Sequence, residues 1–151
     1  MYNVTLIPGD GIGPEVANAT KAVVDATGIQ INWEEVNAGE AVYEKVGTLV
    51  PDEVYASIEK NRLALKGPIT TPIGKGFRSI NVMLRTKYDL YANVRPSRNF
   101  KGIDTPFNNV NMTIFRENTE GLYIGEEKVV DDNTTEATKR ITRSGSLRIC
   151  K

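Results

Sequence analysis

The chain has 151 residues, 40% of them hydrophobic, with 19 Lys or Arg against 19 Asp or Glu and no histidine. That is enough apolar material for a core, and the pI of about 6.3 argues against nucleic-acid binding by bulk charge. With Cys150 the only cysteine, an intrachain disulfide and a Cys- or His-based zinc site are both excluded.

Residues 3–7 read as a buried strand, followed by the turn Gly9-Asp-Gly-Ile-Gly-Pro14 and a helix with Pro14 in its first turn. Val16, Ala19, Val23 and Val24 give that helix its apolar stripe, Gly28 stops it, and residues 29–36 have the β-branched content of a second strand. Two short helices are expected over 39–46 and 52–60, then a short strand over 62–65. This alternation predicts an α/β fold with a substantial parallel component. Gly9-x-Gly11-x-Gly13 imitates a dinucleotide fingerprint, but the third glycine comes one residue early and proline follows it, so a structural turn is the better reading.

Charge is unevenly spread. Residues 62–101 hold nine Lys or Arg against the single acid Asp89, whereas the first 61 residues hold ten acids and three bases. On charge alone this is an anion-facing surface or a solvated basic face. Gly67, Pro68, Pro72, Gly74 and Gly76 make 66–77 a loop, expected to be mobile over 65–76, and Ser79 stands where it can cap a helix reaching Lys87. In that helix Ile80, Leu84 and Tyr88 form one stripe, and Asn81 and Arg85 share another face. Strands are expected over 89–94 and 110–115, each ending near an arginine, Arg95 and Arg116, with a polar loop between them. Further short strands are expected at 122–124, 128–130 and 138–142, and a last helix starts at Ser144-Gly-Ser146. That helix is too short to stand alone or bury a face, so the sequence reads as cut rather than finished.

The opening Ile7-Pro-Gly-Asp-Gly-Ile-Gly-Pro-Glu15, the loop Lys66-Gly-Pro-Ile-Thr-Thr-Pro72, Arg78-Ser-Ile-Asn81, Tyr91-Ala-Asn-Val-Arg-Pro96 and Phe115-Arg-Glu-Asn-Thr-Glu-Gly121 together resemble the β-decarboxylating dehydrogenases. That family comprises the isocitrate, 3-isopropylmalate, homoisocitrate and tartrate enzymes. The loop and the Ser-x-Asn pair are similar to those of isocitrate dehydrogenases, and the resemblance covers nearly the whole chain but only the amino-terminal part of such an enzyme. It implies a substrate site in which Ser79 and Asn81 bind the carboxylate that distinguishes isocitrate, while Arg85, Arg95 and Arg116 hold the others. Lys66, Thr70 and Thr71 would lie between the substrate and the nicotinamide of NAD or NADP. Tyr123, on its sequence alone an ordinary strand tyrosine, matches the family's proton donor. The resemblance also implies Mg2+ or Mn2+ held by residues beyond this chain, a homodimer at full length, a small tricarboxylate as ligand, and neither nucleic acid nor membrane as partner. Related enterobacterial enzymes are inactivated by phosphorylation at the serine matching Ser79. Residues 1–98 would belong to a large domain and 99–151 would begin a smaller, dimer-contacting one. The expected location is cytoplasmic, because residues 4–7 are too short an apolar run for a signal peptide. The isolated chain is expected to be inactive. The alternatives are a 3-isopropylmalate or homoisocitrate dehydrogenase and a non-catalytic, regulatory-subunit-like or vestigial binding polypeptide.

Overall fold

The computed structural model describes residues 1–70 and 79–151. They fall into two compact units, residues 1–80 and residues 81–151.

The first unit is built on a parallel sheet of three strands, β1 (Tyr2–Ile7), β2 (Ile31–Glu35) and β3 (Ala64–Lys66), in the order β2-β1-β3. Helix α1 (Gly13–Asp25) connects β1 to β2, and helices α2 (Glu40–Val46) and α3 (Asp52–Asn61) connect β2 to β3. As the central strand, β1 is covered on both faces: the successive residues Val4, Thr5, Leu6 and Ile7 are all buried, although their side chains alternate between the two faces. The Thr5 hydroxyl is satisfied by the Ser57 hydroxyl of α3 at 2.8 Å and by Asn61 Nδ2 at 3.0 Å. Burial of a hydroxyl without such partners would cost about 1–3 kcal/mol.

Helix α1 departs from its expected stripe. Val16 and Val23 are exposed, and the helix buries Gly13 and Ala17 instead. At Gly13 a Cβ would come within 2.5 Å of the Pro8 carbonyl oxygen and 2.6 Å of the Pro68 carbonyl oxygen, so the first turn of the helix fits against those loops only without a side chain there.

The second unit starts with helix α4 (Ile80–Lys87, its first residue belonging to the first unit), in which Ile80 and Leu84 are buried as their spacing predicts. Strands β4 (Ala92–Arg98) and β5 (Asn111–Glu117) form an antiparallel ribbon, so Arg95 and Arg116 lie within strands rather than beyond their ends. Pro96 is accommodated because each strand of a two-stranded ribbon is an edge, where the missing N–H costs no ladder bond. The connection between the strands is tied by Asn99, which donates to Thr105 Oγ1 at 2.8 Å and to the Phe107 carbonyl at 3.0 Å and accepts from the Val110 amide at 2.5 Å.

Residues Leu122–Ile124, expected to be extended, form a single 3-10 turn. Gly121 and Gly125 bracket it at φ 74° and 67°, backbone conformations that a strand cannot continue through. Strand β6 (Glu127–Asp131) pairs with β7 (Thr134–Ala137), which lies earlier than the strand expected over 138–142. The Asp131 side chain explains the early return, since its Oδ1 accepts from the Asn133 amide at 2.8 Å and closes the turn. Helix α5 (Arg143–Cys150) is capped by Thr142, whose hydroxyl accepts from the Gly145 amide at 3.0 Å. Short as it is, α5 docks: Gly145 is buried, and Arg148 reaches Asp89 at 2.7 Å and Thr119 Oγ1 at 2.6 Å.

Candidate functional site

In the first unit the chemistry gathers at the carboxyl ends of β1 and β3. Successive strands leave β1 on opposite sides, and the crevice at such a reversal is where open α/β sheets present their loops to ligands. Here the two loops meet backbone to backbone. A Cβ added at Gly9 would lie 1.8 Å from the Pro68 carbonyl oxygen, one at Gly13 would lie 2.6 Å from that same atom, and one at Gly67 would lie 2.1 Å from the Pro8 carbonyl oxygen. The glycines of the opening motif therefore serve the close approach of residues 67–70, consistent with a structural turn.

Asp10 sits at the centre of this junction. Its Oδ1 accepts from the Thr70 amide at 2.6 Å, its Oδ2 accepts from the Glu40 amide at 3.2 Å, and its own amide donates to the Pro68 carbonyl at 3.2 Å. Burial alone would raise the Asp10 carboxyl, but hydrogen bonds from Thr70 and Glu40, with the nearby Lys66 charge, outweigh it and hold the group below the usual carboxylate range. Lys66 is half-buried at the end of β3 and donates to the Gly67 carbonyl at 2.7 Å, while Thr70 is exposed. Ser79 is half-buried and directly precedes the first residue of α4. Thr71 and Arg78 lie outside the described residues, as does the 71–76 part of the loop expected to be mobile.

In the second unit the β4–β5 register determines which side chains share a face. Asn93 is opposite Arg116 and Arg95 is opposite Ile114, so Asn93, Arg95, Ile114 and Arg116 project to the same side of the ribbon. Arg95 Nε donates to Asn93 Oδ1 at 3.1 Å. Arg116 Nη2 donates to the Tyr123 hydroxyl, and the Arg116 guanidinium carbon is 5.5 Å from the centre of the Tyr123 ring. Because the phenolic oxygen accepts this bond, its own proton is left to be donated elsewhere. Both arginines are exposed and Tyr123 is at the boundary of exposure, so a ligand could reach all three. Asn81 and Arg85 occupy one face of α4 in the same unit, Asn81 exposed and Arg85 half-buried.

The turn that carries Tyr123 is strapped from behind. Glu117 accepts from the Thr119 and Glu120 amides, each at 2.9 Å, and from the Thr119 hydroxyl at 2.5 Å. Burial raises its carboxyl, and those bonds more than offset the effect, leaving it below the ordinary range. Glu120 accepts from the Thr142 hydroxyl at 2.5 Å and from its amide at 2.8 Å, and the Gly121 amide donates to the Arg140 carbonyl at 2.7 Å. Asp10, Asn93, Glu117 and Glu120 were not among the residues singled out from sequence. Only Asp10 carried a signal, an aspartate between two glycines directly after a buried strand.

The first unit is thus a parallel βαβ arrangement, and the second carries Arg95 and Arg116 on an antiparallel ribbon with Tyr123 in the turn that follows it, an α/β class of protein. A crystal structure of isocitrate dehydrogenase from Methylococcus capsulatus superposes with a TM-score of 0.90 and 50% identity, covering 99% of this chain and 45% of that one. The model of the isocitrate/isopropylmalate dehydrogenase family matches residues 3–151, and the chain belongs to that family. Its curated relatives include mitochondrial NAD isocitrate dehydrogenase subunit 2 of Kluyveromyces lactis, 44% identical over 150 residues, covering 99% of this chain and 40% of the relative. The mitochondrial subunit alpha of the NAD enzyme of Homo sapiens is 45% identical over 151 residues, covering 100% of this chain and 41% of the relative. The chain thus spans about two-fifths of the length of these relatives. The expectation of a cytoplasmic location is corrected by the same relatives, which are named as mitochondrial subunits.

Proposed function

We propose that this chain supplies the substrate-gripping part of an NAD-linked isocitrate dehydrogenase, an enzyme that oxidises isocitrate and decarboxylates the product to 2-oxoglutarate. The observation that carries the reading is the shared ribbon face on which Arg95 and Arg116 stand together, with Arg116 bonded to Tyr123. Guanidinium groups bind carboxylates through two parallel N–H donors, and a set of three arginines suits a tricarboxylate. In this reading Arg85, Arg95 and Arg116 hold substrate carboxylates. Ser79 and Asn81 contact the carboxylate that separates isocitrate from isopropylmalate, and Lys66, Thr70 and Thr71 lie toward the nicotinamide. NAD, held on that side of the site, would supply the hydride acceptor for oxidation of the substrate alcohol. Tyr123, oriented by Arg116, delivers its proton to the carbon left electron-rich by loss of CO2.

Among the described residues no three Asp, Glu, Cys or His side chains come together as metal donors, and the Mg2+ or Mn2+ of this reading would be held by residues beyond this chain. We further propose that residues 1–98 contribute to a large domain, that 99–151 begin a smaller dimer-contacting one, and that the full-length enzyme is a homodimer. The 151-residue chain alone is expected to be inactive.

In a full-length enzyme carrying this segment, Tyr123→Phe is expected to lower kcat by about a hundredfold or more while isocitrate affinity changes little, since the variant lacks a general acid but keeps the arginines. Steady-state kinetics and equilibrium isocitrate binding check this. An unchanged kcat would remove Tyr123 from the chemistry.

A further inference from the structure

We propose that Asp10 is a positioning residue for the nicotinamide cofactor, holding Thr70 by tying the segment after β3 to the start of α2. The inference rests on the proposed function, which puts Thr70 on the cofactor side of the site.

Three separate stretches of chain meet at this carboxylate: the turn after β1, the first residue of α2, and the segment that follows β3. The amino terminus of α2 needs an outside acceptor. Its capping residue is Gly39, at φ 118°, which has no side chain with which to accept the first helical amides. Asp10 provides that acceptor from another loop through Oδ2, and its other oxygen takes the Thr70 amide. The room is closely fitted. A Cβ on Gly39 would lie 2.5 Å from Asp10 Oδ2, so glycine there lets the carboxylate reach the helix.

Residues 67–70 have limited means of keeping their place. They follow a strand of only three residues, and beyond the Gly67 amide, which donates to the Ile7 carbonyl at 2.8 Å, they rest on the glycine-mediated stacking on Pro8 and Gly13. The Pro68 carbonyl receives the Asp10 amide at 3.2 Å, and the Thr70 amide gives to the Asp10 carboxylate at 2.6 Å. One residue thus grips the segment at two points, through main chain and side chain. A charged acceptor makes the stronger kind of hydrogen bond, and a small misplacement of a group that contacts a reactant is costly to the rate. Asparagine would keep one acceptor for Thr70 but would turn an amide NH2 toward the Glu40 amide, setting donor against donor.

The test uses a full-length enzyme carrying this segment. In Asp10→Asn the KM for NAD is expected to rise about tenfold or more, while the isocitrate dissociation constant, measured calorimetrically without cofactor, stays within about twofold. Amide exchange at Thr70 and Glu40 should quicken together. If Asp10→Asn does not fold, Gly39→Ala displaces the same carboxylate without removing it and is expected to give the same split between NAD and isocitrate. An active wild type whose variant has an unchanged KM for NAD overturns the positioning role alone, as does a parallel loss of both affinities with a lowered melting temperature. A wild type that reduces no NAD with isocitrate overturns the proposed function, and this inference with it.

Discussion

At the scale of single residues, the opening motif shows how a glycine pattern can serve packing rather than phosphate binding. Gly67 and Gly28 both disfavour a side chain, for different reasons. Gly67 faces the Pro8 carbonyl oxygen, which an added Cβ would approach to 2.1 Å, whereas Gly28 has nothing within 4 Å and is constrained only by its φ of 79°. Gly67→Ala is therefore expected to cost about 3 kcal/mol, the upper part of the range for overpacking. Gly28→Ala should cost about 1 kcal/mol, the lower end for a left-handed residue with a side chain. Denaturant unfolding of both variants checks this, and equal losses would show that the Pro8 contact relaxes freely. The sequence marked Arg95, Arg116 and Tyr123 because their residue types fit a polyanion and their motifs fit a family. It did not mark Asn93 or Glu117. Their roles depend on strand register and on a turn that brings a carboxylate back to its own following amides, and neither leaves a trace in residue type.

At the scale of elements, the first unit was legible because Gly28, Pro51 and Asn61 punctuate the chain where its helices end or begin, even though the apolar stripe of α1 did not mark its buried face. The second unit was less so. Arg95-Pro96 looked like the end of a strand, yet an edge strand tolerates proline, and the ribbon continues to Arg98. The short apolar run Leu122–Ile124 fits a strand or a turn equally, and only the positive φ of the flanking glycines decides for the turn. Helix α5 is held through Glu120 and Thr142, which gives it an acid sensitivity. The Glu120 carboxyl is kept below the ordinary glutamate range by the Thr142 hydroxyl first and by its amide second. A carboxyl lowered on folding stabilises the fold above its unfolded value of about 4.3, and that contribution is lost as pH falls through the folded value. The stability of the wild-type chain should decline in this acid range, and Glu120→Gln, already less stable at neutral pH, should decline less over the same interval. Identical acid slopes for the two proteins would show that Glu120 contributes no such linkage.

At the scale of the whole molecule, much apolar surface is left open, with Phe100, Phe107 and Val129 each about three-quarters exposed. The ribbon β4–β5 and the hairpin β6–β7 are each two-stranded sheets, a form that is at best marginally stable without something packed on it. Both features accord with a chain that matches two-fifths of its relatives' length. They also fit the proposal that the arginine face works only within a full-length enzyme. The most direct measurement of that proposal is cofactor reduction by a full-length enzyme carrying this segment, with isocitrate, 3-isopropylmalate and homoisocitrate offered in turn with NAD and with NADP. NAD reduction should be fastest with isocitrate, and Arg116→Lys, which keeps the charge but loses the bidentate fork, should raise the isocitrate KM by about tenfold or more. A preference for 3-isopropylmalate or homoisocitrate, or no reduction with any of the three, would contradict the assignment of this ribbon face to isocitrate.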